Sequence, residues 1–464
     1  MSIMQAEFTH SIRTLDGINR LDEVEAWLDD CRQRNWLTTT PLPLSELEDW
    51  SRESATGDWV HRSGRFFRIT GIQIEGANGP TRQPIIEQPE IGILGFLLST
   101  FDGVVHLLVQ AKIEPGNPSG IQLAPTIQAT KSNFSRVHGG STVPYFEEFR
   151  SPAADRVLVD TLQSEQGWWF YQKRNRNIVV WTGERVDARA DFCWMTLGQL
   201  FHFLEAKDVV NMDSRSVLGC LTSQLTSVSP PGSEASLSRL QTTLTALNTA
   251  RTTTSMVVHR ISLNEVWNWH DDGEKLRSTN PTGPFEIVGR GIHAAGREVL
   301  EWSQPLLRPC DERQFDLIFR RTADDVECLL SLTEEPGLTD IVELGPTERD
   351  QSHGFPLGQT KILHDQVQSE EGGRFLDALS RYVVRELVDV VDMPAPQGKV
   401  WVSLRTIQRL LVHPRYLTVE ARTLALCLQS VLSRKMSGSA IPPTSRSDDP
   451  AFRNVPNEGE KHAA

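Results

Sequence analysis

Residues 163–169 read QSEQGWW and residues 368–374 read QSEEGGR, two strings 205 positions apart that share a Gln-Ser-Glu start and a following glycine. One such match alone is slight. Working outward, three more pairs keep the same order: LSELEDW (44–50) with LNEVWNW (263–269), EPG and LAPT (114–126) with EPG and LGPT (335–347), and WMTLGQL (194–200) with WVSLRTI (401–407). Their offsets are 219, 221 and 207 residues, and colinear order at near-constant spacing is the mark of internal repetition. Two diverged copies of one module are therefore expected.

A chain of 464 residues also exceeds what one hydrophobic core usually organises. The expected boundaries are a first module over 1–225, a linker with a short helix over 226–259, a second module over 260–435 and a disordered tail over 436–464. Each module reads as α+β. Residues 101–114 alternate, are rich in β-branched residues and run into PGNPSG, so they predict a strand closed by a turn, with a second strand over 121–130. Arg176 to Trp181 predicts another strand, while MTLGQLFHFLEAK and SRSVLGCLTSQL carry helical apolar spacing. The same order returns in the second copy. The offset drops by 16 residues between LGPT and QSEEGG, where the first copy has the polar and aromatic segment KSNFSRVHGGSTVPYFEEF. Loops of that kind carry function, so the copies are not expected to do the same work.

Composition narrows the classes. Hydrophobic residues at 39%, charged residues at 23% and no apolar run of membrane length predict a soluble chain with no membrane partner. The N-terminus lacks a signal-like pattern, so a cytoplasmic location is expected. A formal net charge of −13 argues against a nucleic-acid partner. Six cysteines without a CxxC pair indicate neither a zinc cluster nor a disulfide framework. The string GRGIHAAGRE (289–298) lacks the GxGxxG spacing of a dinucleotide site.

The strings DGVVHLLVQAKIEPGNPSGIQLAPTIQATKSNFSRVHGG, QSEQGWWFYQKRNRN, VVNMDSRSVLGCL and QSEEGGRF together resemble the nucleotide-diphosphate 4-keto-6-deoxyglucose 2,3-dehydratases, from about Trp27 to Leu432. The resemblance implies a tandem duplication of a Nudix-like module, a homodimer and a dTDP-4-keto-6-deoxyglucose substrate. It also implies handover of a labile diketo product to a 3-ketoreductase. No Nudix box is present, which disfavours a metal-dependent pyrophosphatase, and the fold would be reused for binding. A noncatalytic nucleotide-sugar binding protein is the alternative, motivated by the trimmed second copy.

Such a reaction needs neither metal nor redox cofactor. The C4 ketone acidifies the C3 proton, and expulsion of the C2 hydroxyl leaves an enol that tautomerises to a 3,4-diketo sugar. A base near C3, an acid near the C2 oxygen and a donor at the C4 oxygen are required. His138, beside Gly139 and Gly140, is the leading base candidate, with a loop-stabilising role as the alternative. Glu165 and its counterpart Glu370 are acid or base, or order an arginine; Tyr145 and Glu147 are weaker candidates. Trp50 and Trp269, each expected just after an amphipathic helix, are candidates for base or sugar contact, with packing as the alternative. Thr130, Lys131, Ser132, Asn133 and Phe134 suit a diphosphate and thymine, and Ser164, Gln368, Ser369, Glu370, Gly373 and Arg374 would line the repeated pocket. Arg374 could pair with phosphate. Asn211 and Arg215, and Arg422, begin the last helix of each copy and are further candidates for substrate contact, with capping or salt bridging as the alternative. Chemistry is expected in the first copy, with the second vestigial or accessory.

Overall fold

A computed structural model describes residues 3–77, 79–130, 143–182, 186–222, 234–295, 299–323, 325–349, 359–388 and 393–437. Two long mixed sheets dominate it. In the first, Gly92–Phe101 runs parallel to Arg174–Trp181 and antiparallel to Val104–Ile113, with Val157–Ser164 and Phe192–Thr196 outside them. In the second, Arg313–Arg321 runs parallel to Leu379–Leu387 and antiparallel to Val326–Glu334, with Thr360–Ser369 and Lys399–Ser403 outside. The connectivity corresponds strand for strand. Asp102 and Gly103, both at positive φ, close the first hairpin in the geometry that matches strand twist.

Helices cover these sheets where their apolar faces demand it. Ile3–Arg13, Leu21–Arg34, Leu197–Phe203 and Met212–Leu221 enclose one core, including Phe8, Val24, Phe96, Leu107 and Leu218. Glu234–Thr253, Leu404–Leu411 and Val419–Ser437 enclose the other, including Leu247, Phe319, Leu344 and Leu428. The predicted strands and helices in both copies are thus found. The helix after the linker is longer than expected, and the tail beyond residue 437 lies outside the described residues.

Two smaller sheets join the halves by exchanging strands. Leu37–Leu42 pairs with Phe285–Ala294 of the second half, while Val257–Ile261 pairs with Arg68–Glu75 of the first. Each half therefore finishes a sheet of the other. Gly289 lies inside Phe285–Ala294, an antiparallel strand rather than a strand-to-helix turn. A third core between the small sheets draws on Trp50, Trp59, Phe67 and Trp169 from one half and Trp269, Phe285 and Phe375 from the other. The amphipathic helix expected before Trp50 and Trp269 is instead a three-residue 3-10 turn, Leu44–Glu46 or Leu263–Glu265, and each tryptophan opens a short strand. The apolar residues there pack inward over one turn only, too few for an α-helix to nucleate.

The repeated motifs meet at the junction. Gly116 donates its amide to the Gly372 carbonyl and Gly337 to the Gly167 carbonyl, at 2.8 and 2.7 Å. A Cβ at Gly116 would stand 1.6 Å from the Phe375 oxygen and one at Gly337 1.8 Å from the Phe170 oxygen, so only glycine fits at either position. Arg215 and Arg422 are fully buried. Arg215 donates to the Val210 and Ser369 carbonyls, and Arg422 to those of Leu417 and Ser164, all at 2.7 Å. Each guanidinium ties its own helix to the other half's Gln-Ser-Glu strand. With two charge-assisted bonds lost and two carbonyls stranded, Arg215→Met or Arg422→Met is expected to lower unfolding free energy by about 3 kcal/mol, measured by urea denaturation.

Candidate active site

A cavity of about 860 Å³ opens on the first long sheet. Its floor carries Gly92, Leu94, Lys112, Glu114, Gln128, Glu165, Lys173, Asn175 and Asp213. The other half closes it with Trp302, Ser303 and Gln304 from the strand Glu301–Pro309, and with Glu371, Gly373 and Arg374. An aromatic wall forms one side. His61 meets Trp50 at 5.4 Å and Phe66 at 4.5 Å between ring centroids, and Trp50 meets Phe67 at 4.8 Å.

Glu165 follows directly on Val157–Ser164, where the chain leaves the sheet, and is 3% exposed. Its Oε1 accepts from Asn175 Nδ2 at 2.7 Å, while Oε2 is buried without a hydrogen-bond partner. Burial raises its carboxyl above the usual range, opposed by Arg422, the Asn175 bond and Lys173. Lys173 donates to the Glu90 carbonyl. Burial lowers its ammonium to about 8, against the pull of Glu165. Arg374 lies over the Phe67 ring at 4.4 Å, donating to Gln88 Oε1 at 3.2 Å and to the Gly373 carbonyl at 2.7 Å. Glu371 keeps some surface, but its Oε2 is closed off and unpartnered, and burial raises the carboxyl to about 7, with Arg374 opposing and Glu114 and Glu165 adding.

A chain of hydrogen bonds orders the floor. Asn211 caps Met212–Leu221 by accepting from the Ser214 amide at 2.8 Å, and its Nδ2 donates to Gln128 Oε1 at 3.0 Å. Gln128 Nε2 passes the link to Glu114 Oε1 at 2.9 Å. The described residues contain no group of three or more His, Cys, Asp or Glu arranged to hold a metal ion.

Of the residues singled out in the sequence, Trp50, Thr130, Glu165, Gly373 and Arg374 come together on this cavity. Lys131, Ser132, Asn133, Phe134 and His138 lie outside the described residues, although Thr130 and Val143 at either end of that segment line the cavity. Others lie elsewhere. Tyr145 is not a cavity acid: its hydroxyl donates to the Asp187 carbonyl at 2.9 Å and accepts the Arg189 amide at 3.0 Å, clamping two loops. Glu147 is exposed and 3.7 Å from Arg150. Arg215 and Arg422 are braces closed to substrate by complete burial, and Ser164 donates to Glu343 at 2.7 Å. Gln368 donates to the Leu204 and Ala206 carbonyls, and Ser369 accepts from Gln122 at 2.8 Å. Trp269 packs on Phe285 in the shared core, 4.8 Å between centroids.

The sequence reading passed over Lys173, Asn175, Asp213, Glu114 and Glu371. Asp213 and Glu371 each stand within two positions of a residue it did single out. Glu371 and Lys173 differ between the repeats, with Gln166 and Ala378 at the corresponding places, and that difference was the available signal.

The second half has the same positions filled. In the strand registers Gly92 lies opposite Asn175 and Leu94 opposite Asn177, whereas Arg313 lies opposite Ser380 and Phe315 opposite Tyr382. The Arg313 guanidinium lies 4.9 Å from the Trp169 ring centre and 5.4 Å from that of Phe315. Glu370 is saturated, accepting from Tyr382 at 2.8 Å and Gln166 at 2.9 Å.

An open cavity with a buried, unpartnered carboxyl oxygen, a lysine lowered toward neutrality and an aromatic wall defines a site for acid–base chemistry on a polar ligand. The chain belongs to the NDP-hexose 2,3-dehydratase family, whose model matches residues 21–221 and 240–428. A dTDP-4-dehydro-6-deoxy-alpha-D-glucopyranose 2,3-dehydratase of Amycolatopsis orientalis is 37% identical over 92% of this chain and 94% of its own length. Enzymes of the same name from Streptomyces violaceoruber and Saccharopolyspora spinosa are 39% and 33% identical, covering 88% and 91% of this chain and 96% and 94% of their own. Among solved structures, an ADP compounds hydrolase is similar at 17% identity and a TM-score of 0.24, over 33% of this chain and 89% of that one. So slight a likeness carries no weight here.

The raised Glu371 carboxyl makes stability fall with pH. Its folded form holds a proton that the unfolded chain has released, so the penalty grows from about pH 4.5 and is complete above about pH 7. Glu371→Gln is expected to raise the melting temperature at pH 8 and to leave it unchanged near pH 4, read from thermal unfolding across that range.

Proposed function

We propose that this chain eliminates water across C2–C3 of dTDP-4-keto-6-deoxyglucose, giving a 3,4-diketo-2,6-dideoxy sugar nucleotide, and that only its first half carries the chemistry. The contrast between the two glutamates supports this most directly: Glu165 keeps an unpartnered oxygen at an open cavity, whereas Glu370 has both oxygens engaged behind Arg313 and Tyr382. Family membership supports the reaction class, and the relatives' names support the dTDP sugar. We read the corresponding strand orders as a tandem duplication of a Nudix-like module, with the domain boundaries expected from the sequence.

In this reading Glu165 takes the C3 proton. Asn175 holds one of its oxygens, and burial makes it more basic than a surface carboxylate. Lys173 faces the C4 oxygen, where a cation stabilises the developing enolate. Arg374, reaching across from the second half, pairs with the diphosphate, and thymine lies along Trp50, His61, Phe66 and Phe67. His138 stays a candidate on sequence grounds alone. Protons supply all of the chemistry, so no metal or nicotinamide enters. A cytoplasmic homodimer that hands its labile product to a 3-ketoreductase completes the proposal. No helix among the described residues is long and apolar enough to cross a membrane.

Pure protein incubated with dTDP-4-keto-6-deoxyglucose is expected to form the diketo product at the same rate with or without EDTA, followed by chromatography after chemical trapping. Intact substrate, or cleavage at the diphosphate, overturns the reading. Glu165→Gln and Lys173→Met should each lower kcat about a hundredfold or more, as loss of an acid–base or charge-stabilising group does. Glu370→Gln should change it less than about tenfold, because its partners are structural.

A further inference from the structure

Asp213 stands in the first turn of Met212–Leu221, on the cavity floor and 3% exposed. Its Oδ1 is buried and accepts no hydrogen bond. Two carboxyls beside it have hydrogen bonds that its Oδ1 lacks, and a third has a guanidinium close by. Glu165 has the Asn175 amide, Glu114 has the Gln128 amide with Lys112 at 3.9 Å, and Glu371 has Arg374 close by. The charged groups facing Asp213 are Glu165 from the end of Val157–Ser164, Glu114 and Lys112 from the strand Val104–Ile113 and its turn, and Glu371 from the second half. Three carboxylates against one ammonium outweigh the preference of a helix N-terminus for an anion.

We propose that Asp213 carries a proton at neutral pH and is the general acid that protonates the departing C2 hydroxyl. This inference rests on the dehydratase reading. Burial, reinforced by Glu165, Glu114 and Glu371 and opposed by Lys112, holds its carboxyl well above the ordinary range. A carboxylic acid there offers the O–H donor that the unpartnered Oδ1 otherwise lacks.

The step balances without a co-reactant. Glu165 removes the C3 proton, and the C3–H electron pair passes into the C3=C4 enolate, whose collapse back to the C4 ketone makes the C2=C3 bond. The C2–O bond breaks toward oxygen, which takes the Asp213 proton and leaves as water. Tautomerisation then restores both groups: Glu165 returns its proton to C2, and the enol hydroxyl proton goes to the Asp213 carboxylate.

Asp213→Asn keeps the shape but cannot give up a proton, and a fluoride leaving group does not need one. The test therefore compares wild type and Asp213→Asn on dTDP-4-keto-6-deoxyglucose and on its 2-fluoro analogue, with dTDP affinity reporting the fold. Turnover of the hydroxyl substrate is expected to fall about a hundredfold or more, while fluoride elimination stays within about tenfold of wild type. Asp213→Ser serves as the second variant should Asp213→Asn not fold, with the same split expected. Equal losses on both substrates, or full activity on the hydroxyl substrate, overturn the role of Asp213 and leave the dehydratase reading standing. A wild-type protein that dehydrates neither substrate overturns both.

Discussion

Two buried guanidinium groups, each holding a carbonyl of the opposite half, are the contacts on which the rest of the molecule depends. Arg215 and Arg422 cannot be neutralised, and burying them without acceptors would cost more than a domain's net stability. Their acceptors are the carbonyls of Ser369 and Ser164, the residues just before Glu370 and Glu165. The braces thus fix where both glutamates leave their sheets. The glycine contacts at Gly116 and Gly337 then set how closely the halves approach, at a distance that admits no side chain.

Around that junction, near-identical frames carry opposite contents. Where the first half has Gly92, Leu94 and Asn177, the second has Arg313, Phe315 and Tyr382. Each replacement is larger: an arginine and two aromatic rings take up space that a glycine, a leucine and an asparagine leave. The second half has exchanged a cavity for packing, while its Glu371 to Arg374 turn closes the cavity of the first.

The long strands and the closing helices were legible because their faces are either fully or half buried, and burial writes its period into the sequence. The cavity was legible in part, through Glu165, Trp50, Thr130 and Arg374. Exchange of Leu37–Leu42 and Val257–Ile261 was not legible, since hydrophobic period says that a strand forms and not which sheet it joins. Arg215 and Arg422 were read toward substrate because charge in a repeated motif suggests a ligand, and only burial shows that backbone carbonyls fill that role. Asp213 was missed because one residue inside a helix start gives no pattern to notice.

The crossing of Glu371 and Arg374 into the first half's cavity bears on how such a chain can evolve. The second half, whose own corresponding positions are filled, supplies a wall, a carboxyl group and a cation to the first half's cavity, and it completes one of the first half's sheets. Recombination that joined the first half of one relative to the second half of another would import a mismatched wall along with the new half. The heritable unit of function is therefore the whole chain, and selection on the second half acts in part through a site that it helps to close.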